Sequence, residues 1–414
     1  MRGEARAEKT GGGVLSSSSP RMMRKLILLP ILVALIAASS ALGDEPERLL
    51  WKFQSLSWYN RFSTNSTVGP VVLGPTAIFG GTYSYQNTTE SKLAMVDLAS
   101  GQARWRFERV GPIGPMAVNG SAIALGNGDA VLLLDLATGR LRWEAKGSAQ
   151  TLAIAGEVVL ATESGSLLAR ELGTGKERWR VKTSSEPVVA GDTAYLLDGR
   201  RLRAITVSAG VEAWNLDLPV GLSYPHSLRA DHLYLLGSRS LGSINVRTRA
   251  VEWVLPLESA LEAPLTVTDD VLYVTTQDPT RGGYWLRAVE LATQRDRWRA
   301  SLSSRAPMAP ALLPSLVLAG ASAERESLIA FNRATGAPVW KARVGTVSVQ
   351  PVLKGETLYV AGQGPKRLYA LGVATGTPLW SVMLNGWPLG AVLTADGKLL
   401  VSTDDLTLYA FRAE

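Results

Sequence analysis

Cysteine is absent from this chain of 414 residues, and histidine occurs only twice, at His226 and His232. The lack of cysteine excludes disulfides, thiolate metal sites and the attachment of a lipid through an N-terminal cysteine. Two histidines are too few for most zinc or haem sites. Apolar residues make up 46% of the chain, which is ample material for a hydrophobic core.

Long runs of positive charge are also missing. The formal net charge is +7, but residues 1–43 hold six basic and two acidic groups and supply four of these charges. After residue 43 there is no run of five lysines or arginines. Because clustered basic residues are the electrostatic signature of nucleic-acid binding, we predict no nucleic-acid partner.

Tryptophan, in contrast, is frequent and regularly placed. Eight of the 12 tryptophans close copies of one short phrase, of which AMVDLASGQARW and LLLDLATGRLRW are clear examples. The copies are 35 to 45 residues apart and end at Trp105, Trp143, Trp179, Trp214, Trp253, Trp298, Trp340 and Trp380. A period near 40 residues, with one strand-rich unit in each period, predicts a closed or stacked repeat architecture.

One period contains four short strands. Residues 351–384 include the runs PVL, TLYVA, RLYAL and LWSVML, which are separated by turns and loops that contain glycine. Runs of β-branched and aromatic residues joined in this way predict an antiparallel meander. No helical pattern of ten residues lies between the runs, so alternating strand–helix units are excluded.

The repeated phrase itself has a structural interpretation. A short polar residue such as Asp97 or Asp135 precedes the turn, where its side chain can bond to the backbone. In most copies a glycine lies four residues before the tryptophan and is free to take a positive φ. We expect each indole ring to wedge against the neighbouring unit while its N–H donates to a carbonyl. Arg249 and Gln294 replace the glycine in two repeats, so these turns are expected to be strained or of another type.

The fold class predicted is all-β: a single closed β-propeller of four-stranded antiparallel blades. We count nine strand triplets, and the last one, within residues 390–411, has no tryptophan strand after it. The strand around Trp51, within residues 48–53, has no triplet before it. We expect this N-terminal strand to complete the last blade, which removes exposed sheet edges. Eight blades with one irregular unit is the alternative.

The phrase with Asp, Thr-Gly and Trp resembles the repeat of pyrroloquinoline quinone (PQQ)-type β-propellers, over roughly residues 48–414. The resemblance implies one of two functions, because the family includes quinoprotein dehydrogenases of alcohols and sugars as well as non-catalytic lipoproteins of the BamB type. Members of the second group help to assemble proteins into bacterial outer membranes. They carry a lipidated cysteine, which this chain lacks.

The N-terminus has the organisation of a secretory signal peptide, with two basic residues, a 12-residue apolar core and a small-residue cleavage pattern within residues 22–43. The apolar core is shorter than the roughly 20 residues that span a bilayer. We therefore predict a disordered or mis-assigned start at residues 1–21, a signal peptide at 22–43 and a propeller at 48–414. The protein is expected to be periplasmic or extracellular, and membrane attachment is expected only if the signal segment stays uncleaved.

Function is predicted from the variable loops. In a four-stranded blade, the loops between successive blades and those between the second and third strands open on one face. Aromatic residues outside the repeated phrase gather in these loops, and aromatic residues are enriched at protein interfaces. The candidate interaction face consists of Trp58, Tyr59, Tyr83, Tyr85, Tyr224, Trp285 and Trp387.

The sequence therefore favours a monomeric, non-catalytic scaffold that binds a protein of the cell envelope, with no cofactor or metal. The alternative is a dehydrogenase that uses PQQ with calcium. The resemblance implies an adjacent cysteine pair for that enzyme, which this chain lacks, and no acidic cluster has calcium-loop spacing. The adjacent aspartates, Asp269–Asp270 and Asp404–Asp405, lie beside strands. A second alternative is recognition of a glycan or a peptide at the same face.

Overall fold

The computed structural model describes residues 48–55, 63–85, 88–219, 221–258, 261, 265–277, 282–321 and 327–414. In these ranges, 36 strands form nine four-stranded antiparallel sheets, and no helix is present. The predicted all-β propeller is therefore confirmed, with nine blades and not eight. None of the described residues forms a helix with the length and hydropathy needed to cross a bilayer.

At five of the nine boundaries the first strands of neighbouring blades contact each other, which places these strands nearest the central axis. Blade 1 contains β2 (Ser63–Leu73), β3 (Thr76–Tyr85), β4 (Thr88–Asp97) and β5 (Ala103–Val110). Blade 2 contains β6 (Ile113–Val118), β7 (Ala122–Asn127), β8 (Ala130–Asp135) and β9 (Leu141–Lys146). Blade 3 contains β10 (Thr151–Ala155), β11 (Val158–Glu163), β12 (Ser166–Glu171) and β13 (Glu177–Lys182).

The next three blades repeat this order. Blade 4 contains β14 (Val188–Ala190), β15 (Thr193–Asp198), β16 (Arg201–Thr206) and β17 (Glu212–Asp217). Blade 5 contains β18 (Tyr224–Arg229), β19 (His232–Leu236), β20 (Ser240–Asn245) and β21 (Ala250–Pro256). Blade 6 contains β22 (Thr266–Val267), β23 (Val271–Gln277), β24 (Tyr284–Glu290) and β25 (Arg295–Leu302).

The last three blades complete the ring. Blade 7 contains β26 (Ala311–Leu312), β27 (Leu316–Gly320), β28 (Leu328–Asn332) and β29 (Pro338–Ala342). Blade 8 contains β30 (Val352–Lys354), β31 (Thr357–Gly362), β32 (Arg367–Gly372) and β33 (Pro378–Met383). Blade 9 contains β34 (Pro388–Leu393), β35 (Lys398–Thr403), β36 (Thr407–Arg412) and, as its outer strand, β1 (Leu49–Gln54).

The N-terminal strand closes the ring as predicted. In the register between β1 and β36, Trp51 lies opposite Ala410 and Phe53 opposite Leu408. Arg48 Nη1 bonds to Glu414 Oε2 at 2.7 Å, and the Arg48 guanidinium lies 5.1 Å from the centre of the Trp380 ring in blade 8. The two ends of the propeller are thus held to each other and to the preceding blade.

The hydrophobic core consists of nine clusters, one at each boundary between neighbouring blades. The boundary between blades 6 and 7, for example, joins Tyr273 and Leu286 to Val317 and Phe331. Because one sheet face of each blade packs on the next blade, no blade can bury its apolar residues alone.

A β-bulge turns each repeat tryptophan towards the core. In blade 2, Leu133 pairs with Trp143 and Leu134 pairs with Leu141, so Arg142 has no partner across the sheet. The same register shift precedes the tryptophan in blades 1 and 3 to 8. An extra residue bends the strand locally and re-aims the next side chain. This feature was not predicted.

The repeated aspartates act as turn caps. Asp97 Oδ1 accepts the backbone N–H of Ala99 and Ser100, and Asp97 Oδ2 accepts Arg104 Nη2 at 2.6 Å. The hydrogen bond from Arg104, followed by those from Ser100, lowers the pKa of Asp97 to about 2. The predicted interpretation of this polar position is confirmed.

Each of six indole rings lies directly on the glycine turn of the next blade. A Cβ atom added to the glycine of that turn would lie only 2.3 to 2.7 Å from the indole. Each of these rings also donates its N–H to a carbonyl of the turn, at 2.8 to 3.2 Å. The six pairs are Trp51–Gly101, Trp105–Gly139, Trp143–Gly175, Trp179–Gly210, Trp298–Gly336 and Trp340–Gly376. Glycine is therefore required for contact as well as for its positive φ.

The two turns without glycine are strained, as predicted. Arg249 has φ of 59° and Gln294 has φ of 53°, values that are unfavourable for residues with a Cβ. The tryptophans that face these turns, Trp214 and Trp253, donate no such hydrogen bond to a described residue. Trp380 faces the junction of the chain ends instead of a continuous turn.

We predict that Gly139→Ala destabilises the protein more than Gly156→Ala. Both glycines have positive φ, so both substitutions incur the left-handed penalty of about 1–2 kcal/mol. A Cβ at 139 would also lie 2.6 Å from the Trp105 ring, whereas nothing lies within 4 Å at 156. Overpacking adds roughly 1–3 kcal/mol. Urea unfolding measures the difference, and equal losses would contradict the role given to the indole contact.

We predict that Arg249→Gly stabilises the protein by about 1 kcal/mol, because glycine removes the strain of the positive φ. Gln294→Gly is the matched variant. It is expected to gain less, because Gln294 Nε2 donates to Leu291 O and Ala292 O, and both bonds are lost. Thermal unfolding of the two variants beside the parent protein checks this order, which a loss of stability in Arg249→Gly would refute.

Candidate functional site

The two faces of the propeller differ in their connections. We call the face with the connections between blades, and between second and third strands, the loop face. The opposite turn face carries the remaining turns, including the glycine turns of the repeated phrase. Tyr83 and Trp285 lie near loop-face ends of β3 and β24, and Trp387 directly precedes β34. Tyr85 ends β3 and Tyr224 begins β18 at the same face. Trp58 and Tyr59 lie outside the described residues.

The described members of the candidate face are divided between two parts of the ring. Tyr83 and Tyr85 belong to blade 1, and Trp387 enters the adjacent blade 9. Tyr224 belongs to blade 5 and Trp285 to blade 6. In a nine-bladed ring, these pairs of blades lie on opposite sides of the axis.

Tyr83 is engaged within its own blade. Its hydroxyl donates a short hydrogen bond to Glu90 on β4, and the Lys92 amine lies 5.6 Å from the ring centre. Burial, followed by the bond to Glu90, raises the pKa of Tyr83. Half-buried and paired in this way, Tyr83 stabilises the β3–β4 hairpin of blade 1.

Trp285 is also partly covered. It lies opposite Ser301 on the outer strand of blade 6, and the Arg299 guanidinium lies 5.2 Å from its ring centre. A cation over an indole is worth about 0.5–1 kcal/mol at an exposed site. Trp285 is therefore partly covered and lies beside a positive charge near the loop face.

Trp387 is more exposed than Tyr83 and Trp285, with 51% of its surface accessible to solvent. Its backbone N–H donates to Asp404 Oδ1 at 2.6 Å, and its carbonyl accepts the Asp404 N–H at 2.9 Å. A Cβ on the preceding Gly386 would lie 2.5 Å from Asp404 Oδ1. The backbone is therefore fixed at this point while the indole projects into solvent.

A basic side chain lies over this indole, and two exposed apolar residues flank Trp387 in the chain. Lys366 Nζ lies 5.8 Å from the Trp387 ring centre and donates to Asn385 O at 3.1 Å. Met383 is 48% exposed at the end of β33, and Leu389 is 39% exposed at the start of β34. We call Met383, Trp387 and Leu389 the Trp387 patch.

The adjacent aspartates are all engaged in local contacts. Asp269 bonds to Arg229 at 2.7 Å and Asp270 to Arg297 at 3.2 Å. Asp404 holds the Trp387 loop, and Asp405 accepts the Thr403 hydroxyl. In the described part of the chain, no three His, Asp or Glu side chains lie close enough to hold a metal ion.

One carboxylate is buried without a full set of partners. Glu163 Oε1 lies 3.9 Å from Arg170 Nη2, and a Cβ on Gly147 would lie 2.4 Å from the same oxygen. Burial raises the pKa of Glu163 more than the charge of Arg170 lowers it. Glu163 Oε1 and Arg170 Nε have no hydrogen-bond partner among the described atoms. An arginine inside the apolar run of β12 was the sequence signal for this pair, and it was missed.

Comparison with known proteins places this chain in a family context. The sequence profile described as outer membrane protein assembly factor BamB matches residues 89–300 and 324–414. These ranges include most of the nine blades. None of the curated proteins compared with the chain matches it significantly.

Solved structures share the propeller fold at low identity. BamB from Moraxella catarrhalis is 16% identical, with a TM-score of 0.52 over 86% of this chain and 98% of that chain. Quinohemoprotein alcohol dehydrogenase from Comamonas testosteroni is 13% identical, with a TM-score of 0.52 over 91% and 77%. The computationally designed Ika8 protein is 13% identical, with a TM-score of 0.51 over 72% and 96%. These similarities establish the fold alone.

We predict that Glu163→Gln stabilises the folded protein more at pH 7 than at pH 4. The pKa of Glu163 is raised in the folded state, so the wild type loses stability as pH rises from the ordinary glutamate pKa through the folded value. The glutamine does not titrate and avoids this loss. Urea unfolding of both proteins at the two pH values measures the difference, and a gain that shrinks as pH rises would contradict the assignment.

Proposed function

The chain belongs to the family of PQQ-like propellers whose profile is that of the outer membrane protein assembly factor BamB, and from this we propose that it is an exported, non-catalytic scaffold. It binds a protein of the cell envelope through its loop face. The predicted signal peptide at residues 22–43 supports export.

The Trp387 patch is the observation that carries this proposal. Exposed tryptophan in a rigid setting is typical of the residues that dominate binding energy at protein interfaces. The Asp404 hydrogen bonds fix the backbone before a partner arrives, so little conformational entropy is lost on binding. Met383 and Leu389 supply apolar contact beside the indole, and Lys366 supplies a charge.

Of the predicted face, we assign the central contact to Trp387 and not to Tyr83. The Tyr83 hydroxyl is already bonded to Glu90, and its ring packs against the cluster between blades 9 and 1. Trp285 lies on the opposite side of the ring and serves as a second, separate contact.

We predict that a photo-activated cross-linking residue in place of Leu389 forms an adduct with a discrete envelope protein when the full-length chain is expressed in a Gram-negative host. Trp387→Ala in the same chain should abolish the adduct. Loss of an interface tryptophan costs about 2 kcal/mol or more, which is roughly 30-fold in affinity. Stability should change little, because the indole is half exposed.

The control places the same cross-linker at Leu379, which is 49% exposed on the outer strand of blade 8. Identical adducts from both positions, or adducts from 389 that survive Trp387→Ala, would contradict the proposed face. Stoichiometric binding of PQQ with calcium, together with oxidation of an alcohol or a sugar, would contradict a non-catalytic role.

A further inference from the structure

The turn face contains a polar cavity of about 350 Å³ between blades 6 and 7. This volume lies at the lower end of the range typical of small-molecule sites. Its walls come from the first turn of each blade, the outer strand of blade 6 and the repeated-phrase turn of blade 7. The lining includes Asp270, Tyr273, Arg297, Ser315, Asn332 and Arg333.

Arg333 departs from the repeat at this position. The residue that follows the third strand of the blade is leucine or valine in the seven other copies of the turn, and Leu98 and Val207 are almost fully buried there. In blade 7 alone an arginine takes this place. Its backbone keeps the repeat geometry, because Trp298 Nε1 donates to Arg333 O at 3.0 Å and Arg333 N donates to Ser315 O at 2.9 Å.

A buried hydroxyl orients the Arg333 guanidinium. Tyr273 is only 1% exposed, and Arg333 Nε donates to its hydroxyl oxygen at 3.2 Å. The two terminal nitrogens of Arg333 have no acceptor among the described residues. Because this hydroxyl accepts from Arg333, its own proton is free to point into the cavity.

The other charged groups at the cavity are paired with each other. Asp270 Oδ2 bonds to Arg297 Nη2 at 3.2 Å, and Arg297 also bonds to Glu290 at 3.2 Å. Asp270 Oδ1 additionally accepts the Thr268 hydroxyl at 3.0 Å. Arg333 is therefore the cation of the cavity wall that lacks an acidic partner in the described structure.

We propose that this cavity binds a carboxylate group, presented by a small organic acid or by the C-terminus of a peptide. The planar guanidinium matches a carboxylate with two parallel N–H···O bonds. The Tyr273 hydroxyl donates a third hydrogen bond. Asp270 at the rim disfavours a doubly charged phosphate. This site lies on the face opposite the Trp387 patch and does not depend on the scaffold proposal.

The test is a calorimetric or NMR titration of the full-length protein with N-acetylalanine, its C-terminal amide, succinate and inorganic phosphate. The free acid should bind at least 10-fold more tightly than the amide, because a hydrogen-bonded charge is lost in the amide. Binding of N-acetylalanine but not succinate indicates that the carboxylate belongs to the C-terminus of a peptide. Binding of succinate but not N-acetylalanine indicates a small organic acid. Equal binding of acid and amide, tighter binding of phosphate, or no binding of either acid overturns the proposal.

Arg333→Leu is the decisive variant, since leucine occupies this position in four other repeats, at Leu98, Leu136, Leu172 and Leu291. It should fold normally and lose carboxylate binding at least 10-fold. Arg178→Leu removes an exposed outer-strand arginine elsewhere and should leave binding unchanged. Tyr273→Phe keeps the ring and removes the hydroxyl, so binding should fall roughly 2- to 10-fold. Unchanged binding in Arg333→Leu, or in Tyr273→Phe if the first variant does not fold, contradicts the site.

Discussion

The contact between an indole ring and the glycine turn of the next blade is the constraint on which the ring depends. It combines a ring packed against backbone with a hydrogen bond from the indole N–H, and it recurs at six of the nine blade boundaries. A β-bulge one residue before the tryptophan directs the ring inward. A single repeated phrase thereby sets the position of one blade on the next.

At the boundary between blades 8 and 9, where the ring closes, other side-chain contacts replace the contact between indole and glycine turn. Blade 9 has no continuous turn at this point, because its outer strand comes from the start of the chain. Arg48 covers Trp380 and bonds to Glu414, and Tyr359 bonds to the backbone of Glu414. The two ends of the propeller are thus joined by side chains at the place where other blades have a covalent connection. The repeated phrase fixes the packing between blades, but it does not fix the residues at the two faces of the ring. The candidate sites lie at these variable positions.

Most of the fold could be predicted from the sequence, since period, strand pattern and the orphan strand around Trp51 are all local signals. The bulge before each tryptophan could not, because register depends on pairing with another strand. The candidate site was predicted less completely. Loop aromatics could be assigned to one face, but which of them remain exposed depends on partners such as Glu90 and Asp404. Arg333 was visible as a departure from the repeat, although its cavity requires side chains from blade 6.

Hydrogen exchange of backbone amides in the native protein tests the central claim most directly, because it compares the blade boundaries within one molecule. If indole contacts hold the blades together, the turns at residues 246–250 and 291–295, which receive no indole hydrogen bond, exchange faster than those at 98–102 and 136–140. Equal protection at all these turns would contradict the account. It would show that apolar packing alone sets the stability of each boundary.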